Sequence, residues 1–138
     1  MRLAAILFLI IFMHGTALAD QYLCEVKKST GFRFSESSGA WDSTDFKAGD
    51  KYTLTNNSGK YLLYAFGHEE AISKCPKGFN DSGFIFCDGW LVFSFYKKSG
   101  RFTAYSEGSY HQVGSEVIPK DSSAIPNPSV SIGECAEF

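Results

Sequence analysis

Few residues in this chain are of a type and spacing that could carry out chemistry. His68-Glu69-Glu70 follows Gly67 and sets an imidazole beside two carboxylates, groups from which a general base or a set of metal ligands can be built. Consecutive residues on a strand point to opposite faces. A protease-type zinc site needs a second histidine four residues on, where Ile72 stands. His111, in Ser109-Tyr110-His111-Gln112, is the other histidine outside the leader. A small hydrolase or metal-dependent enzyme would have to combine His68, Glu69 and His111. No Gly-x-Ser-x-Gly elbow or glycine-rich phosphate loop is present, and neither Asp42/Asp45 nor Asp81/Asp88 has calcium-loop spacing. The expectation is no catalytic centre, metal or cofactor, with His68 and His111 as solvated residues.

The aromatic content says more. The sequence holds 13 Phe, 7 Tyr and 2 Trp, of which only Phe8 and Phe12 lie in the leader. Most must fill a core. Tyr61, Tyr64, Tyr105 and Tyr110 stand near polar turns, where a tyrosine offers area, rigidity and one hydrogen bond to a partner. With His68 and His111 they form the candidate binding surface.

The elements that must position these groups begin outside the cytosol. Arg2, the apolar run Leu3 to Met13 and Ala17-Leu18-Ala19 have the layout of a cleaved export signal over residues 1–19. The run falls short of the roughly 20 residues that a spanning helix needs. Gln21-Tyr22-Leu23 is too bulky to make Cys24 a lipid anchor. Residues 20–138 are expected to form one domain without a membrane anchor, in a secreted or periplasmic setting. Loss of Arg2 takes the formal charge from −2 to −3, which argues against nucleic acid as a partner. Cys24, Cys75, Cys87 and Cys135 are an even set in an exported chain and read as two disulfides. Of three connectivities, Cys75–Cys87 closes a short loop and Cys24–Cys135 ties the first strand to the last; this pairing is favoured.

Short runs rich in Phe, Tyr, Val, Ile and Thr recur between Gly, Asn, Asp and Ser turns, the pattern of an all-β domain. Strands are expected at Tyr22–Lys27, around Phe32 and Phe34, and at Trp41–Phe46, Lys51–Thr55, Lys60–Phe66, Phe84–Cys87, Trp90–Tyr96, Arg101–Tyr105 and Ser129–Glu134. Ala71–Lys74 reads as a short edge strand, and Val113, Val117 and Ile118 as one more. Asp88-Gly89 suits a two-residue hairpin turn, and Lys97-Lys98-Ser99-Gly100 a four-residue one. Trp90–Tyr96 is apolar on both faces, so both are expected to be covered. The glycosylation patterns Asn56-Asn57-Ser58 and Asn80-Asp81-Ser82 also read simply as turns. The fold class is a disulfide-stapled, antiparallel β barrel or sandwich of about eight strands.

The layout Tyr22-Leu23-Cys24, Gly31-Phe32, Trp41, Phe46, Tyr52, Phe84-Ile85-Phe86-Cys87, Arg101-Phe102 and Ile132-Gly133-Glu134-Cys135 resembles small exported hypothetical proteins of Gram-negative bacteria. The resemblance implies a periplasmic or secreted setting and no particular activity. Tyr22-Leu23-Cys24 and Ser58-Gly59-Lys60-Tyr61 also resemble the C-type lysozyme inhibitors of the bacterial periplasm, which are small disulfide-bearing β-barrels. That likeness implies inhibition of a secreted enzyme such as lysozyme. The leading expectation is a non-catalytic exported domain that binds a protein or glycan through loops at one end.

Overall fold

Alternation of buried and exposed side chains runs through nearly every strand, and hairpin turns join most of them. The computed structural model describes residues 20–108 and 127–138, so Tyr110, His111, the expected strand at 113–118 and the leader lie outside the described residues. Among the described residues there are nine strands: β1 (Gln21–Ser35), β2 (Ala40–Phe46), β3 (Lys51–Asn57), β4 (Lys60–Ala65), β5 (Ala71–Cys75), β6 (Phe84–Gly89), β7 (Val92–Tyr96), β8 (Arg101–Ser106) and β9 (Ser129–Glu137). They run antiparallel in the order β2-β1-β3-β4-β5-β6-β7-β8-β9, and β9 also pairs with β1. Eight strands therefore close a barrel, and β2 is the extra one. Closure gives each barrel strand a neighbour on both sides, with β5 and β6 joined only at Ser73–Gly89 and Lys74–Asp88.

Both expected disulfides are formed, Cys24–Cys135 and Cys75–Cys87. Cys24 and Cys135 are direct cross-strand partners at the β1–β9 seam. No described cysteine is free. Two disulfides fit an oxidising, extracellular-type compartment.

The barrel interior is a packed core rather than a channel. Leu54, Leu63, Ile85, Phe93 and Phe95 are completely or almost completely buried. Phe79, on the loop before β6, places its ring against Tyr22, Tyr61 and Phe95 at centroid separations of 5.3–5.8 Å. Toward β3, β7 and β8, Tyr52, Phe93 and Phe102 pack together. Inward-facing residues are thus mostly apolar, with Ser73 and Ser131 the buried polar ones among the described residues, whereas water-filled membrane-spanning barrels put polar groups inside. Gly133 permits this packing: a Cβ there would collide with the Glu25 carbonyl oxygen and stand 2.5 Å from the Phe102 ring.

Several local expectations change. Tyr22–Lys27 and the segment around Phe32 and Phe34 are one 15-residue strand, not two. A bulge between Val26 and Lys28 reverses the alternation. Tyr22, Cys24 and Val26 face inward before it, and Phe32 lies half-exposed beyond it. The polar run Lys27-Lys28-Ser29-Thr30 looks like a break in sequence because the bulge rephases the strand there. Ala71–Lys74 is not an edge: β5 lies between β4 and β6. Asp88-Gly89 is not the hairpin turn. Both residues extend β6 and pair with β5, and the chain turns through Trp90 and Leu91. Gly89 allows that close approach, since a Cβ would lie 2.6 Å from the Ile72 carbonyl oxygen. The turns at Ser58-Gly59 and Lys97–Gly100 are as expected, with positive φ at Ser58, Gly59 and Gly100. Asn56 and Asn80 accept backbone N–H bonds through Oδ1, as turn residues do.

A candidate binding face on the outer wall

Residues that alternate with the core on β6–β9 stand on the outer wall, and an unusual share of them are apolar. Register places Val92, Tyr105, Val130 and Thr30 side by side across β7, β8, β9 and β1. Ile132, partnered with Thr103, lies in the next row. Phe84 and Phe86 extend the wall on β6, with Phe84 stacked on its cross-strand partner Tyr96 at 4.2 Å. Trp90, at the head of β7, is 86% exposed, Phe86 60% and Ile132 49%. The second face of Trp90–Tyr96 is therefore exposed at Trp90 and Val92 and half-buried at Ser94 and Tyr96, whereas the sequence predicts that it is covered. It is apolar without being part of the core.

The same wall continues onto an arm. β1 leaves the barrel after Gly31, its last residue paired with β9, and the arm is formed by the rest of β1 with β2. β2 lies along the side of β1 that β3 occupies lower down. Phe32 is half-exposed, and Phe34 packs against its cross-strand partner Trp41 at 5.4 Å. Where arm and wall meet there is a groove of about 570 Å³, lined by Phe32, Trp41, Tyr105, Pro128 and Val130 among others, with Glu107 the one charged residue among its described lining. Gly31 fits at the base because a Cβ would collide with the Pro128 carbonyl oxygen.

The residues singled out from sequence do not form one surface. Tyr61 is 6% exposed and belongs to the core. Its hydroxyl donates to Asp20 Oδ2 at 2.9 Å. Burial, then that hydrogen bond, pushes its pKa up to about 12. As an inward residue of β4 it cannot meet a partner. Tyr64, next after the inward-facing Leu63, is half-buried on the outside of β4. Tyr105 is on β8, four strands round an eight-strand barrel and thus on the opposite wall. Of the described members of this set only Tyr105 belongs to the apolar face. His68 is exposed just after β4; its backbone N–H donates to the Ala65 carbonyl, and its side chain has no hydrogen bond or ion pair among the described residues. Nor do three His, Cys, Asp or Glu side chains converge among the described residues.

Sequence reasoning missed Phe32, Phe86, Trp90, Val92, Val130 and Ile132. For Trp90 and Val92 the signal was present in the two apolar faces of Trp90–Tyr96, but alternation alone does not say which face a partner element covers. No family model, curated protein or solved structure matches the chain.

Proposed function

We propose that this chain is an exported, non-catalytic binding protein that engages a protein partner through the outer wall of β6–β9 and the adjoining arm. One observation carries the reading: the large exposed apolar side chains gather on this wall, at Trp90 in the turn before β7 and at Phe32 on the arm, with only Phe66 and Phe138 exposed elsewhere among the described residues. Contiguous apolar patches on a folded domain mark interaction sites. A protein partner suits the mixture of Val, Ile, Phe and Trp, which resembles the apolar centre of a protein interface. The disulfides support export, as does the leader-like segment before residue 20. Binding moves from the loops at one end to the side of the barrel.

The test is capture from the native exported fraction with the wild-type chain, Ile132→Glu and Tyr64→Glu as baits. Bound proteins are quantified by mass spectrometry. A partner retained by wild type and Tyr64→Glu, and lost with Ile132→Glu, supports the reading. Retention by all three baits, or no partner for any, refutes it. Inhibition of lysozyme is a specific form of the same reading, tested by adding the purified protein to a lysozyme assay.

A further inference from the structure

Resting on that reading, we infer that the partner on this wall is a second copy of the chain, related by a two-fold axis that runs along the β8–β9 seam. Register sets Arg101, Thr103 and Tyr105 of β8 opposite Glu134, Ile132 and Val130 of β9, and all six residues are exposed. Two faces that pack about an axis lying between two strands exchange those strands at equal height. Each β8 residue then meets, on the other copy, the same β9 residue that is its cross-strand partner within its own chain. Thr103 covers Ile132 and Tyr105 covers Val130, while one strand further out Val92 of β7 meets Thr30 of β1.

Charge selects a second copy in this orientation. Arg101 and Glu134 are cross-strand partners, yet the one ion pair among the described residues is Lys27–Glu25. The half-turn brings Arg101 of each copy to Glu134 of the other, so one complementary pair forms twice and bounds the apolar centre. A hollow of about 300 Å³, lined by Arg101, Thr103, Ile132 and Glu134 together with Lys27, admits the facing side chains. Turned end for end, with the axis across the strands, the same walls would press Glu134 onto Val130 and leave its carboxylate desolvated without a partner. The face is small. Four strands (β7, β8, β9 and β1) about 4.8 Å apart and about six residues long cover roughly 400 Å² per copy. That is the size of a transient interface, so the dimer is concentration-dependent, with a Kd on the order of 10–100 µM.

Sedimentation velocity on the purified chain, over about 1–500 µM, reads the monomer–dimer equilibrium. Near-ultraviolet circular dichroism checks that each variant is folded. The expected result is a dimer whose Kd rises about tenfold or more in R101E and in E134R, each of which sets two like-charged pairs across the axis. R101E/E134R restores opposite charges and should return the Kd to within about threefold of wild type. E69K, with the same charge change as E134R but on a distant loop, leaves it unaltered. A benzophenone side chain at position 132 should join two purified copies, the crosslink mapping to position 103 and its neighbours on the other copy. A monomer throughout the range, a dimer indifferent to R101E and E134R, a folded double reversal that fails to restore it, or a crosslink mapping away from β8 would each overturn the two-fold pairing. If the chain stays monomeric while wild type captures a different protein that Ile132→Glu loses, the dimer fails and the binding reading stands.

Discussion

Removal of the two disulfides should cost unequal amounts, and the order separates two physical causes. Cys24–Cys135 closes a separation of 111 residues and Cys75–Cys87 one of 12. In the chain-entropy model these are worth about 4.8 and about 2.8 kcal/mol at 25 °C. Local packing points the other way. Both Cys75 and Cys87 are buried, at 4% and 2%, whereas Cys135 is partly exposed, so trimming the short-loop pair leaves more unfilled core. If loop closure in the unfolded chain dominates, C24A/C135A loses about 2 kcal/mol more than C75A/C87A. The β1–β9 ladder from Tyr22 to Gly31 remains in C24A/C135A, so the barrel stays closed and its near-ultraviolet circular dichroism persists. Urea unfolding measures the difference; at a slope of roughly 2 kcal/mol/M it is a midpoint gap of about 1 M. A midpoint for C75A/C87A equal to or below that of C24A/C135A would refute the reasoning and assign the cost to packing.

Gly133→Ala should destabilise by about 1–3 kcal/mol in chemical denaturation, because its methyl enters the space of the Glu25 carbonyl and the Phe102 ring. Trp90→Ala should change the melting free energy by no more than about 0.5 kcal/mol, since the side chain is 86% exposed, yet weaken capture of the partner. Tyr61 predicts an alkaline limb. Its folded pKa, about 12, lies above the ordinary tyrosine value, so its contribution is complete below about pH 10 and is lost as pH rises toward 12. Thermal melts between pH 9 and 12 should therefore fall less steeply for Tyr61→Phe than for wild type; parallel curves would contradict this.

Much of the barrel was legible because its signals are local. Alternation set the strands, Ser58-Gly59 and Gly100 supplied the positive φ that their turns require, and spacing with strand order picked the disulfide pairs. What failed was non-local. The bulge near Lys27 rephases β1 in a stretch whose polar residues suggest a break, and Gly89 continues β6 because it can approach Ile72 closely. The candidate site depended on which strands are neighbours around the barrel. Tyr61 and Tyr64 look alike in sequence, yet alternation turns one into the core and the other outward. Tyr64 and Tyr105 are separated by half the barrel. An apolar outer wall reads in sequence as a second buried face, because hydrophobicity records that a residue prefers cover and not whether the cover belongs to the same chain.

If the proposed partner lies against the outer wall of β6–β9, a reactive probe on that wall must capture it. Site-specific photo-crosslinking in the native exported fraction tests this most directly, with a benzophenone side chain at Ile132 on that wall or at Tyr64 on the opposite one. The prediction is a discrete crosslinked partner from position 132 and none from position 64. A partner crosslinked from position 64 alone, or none from either, would contradict it.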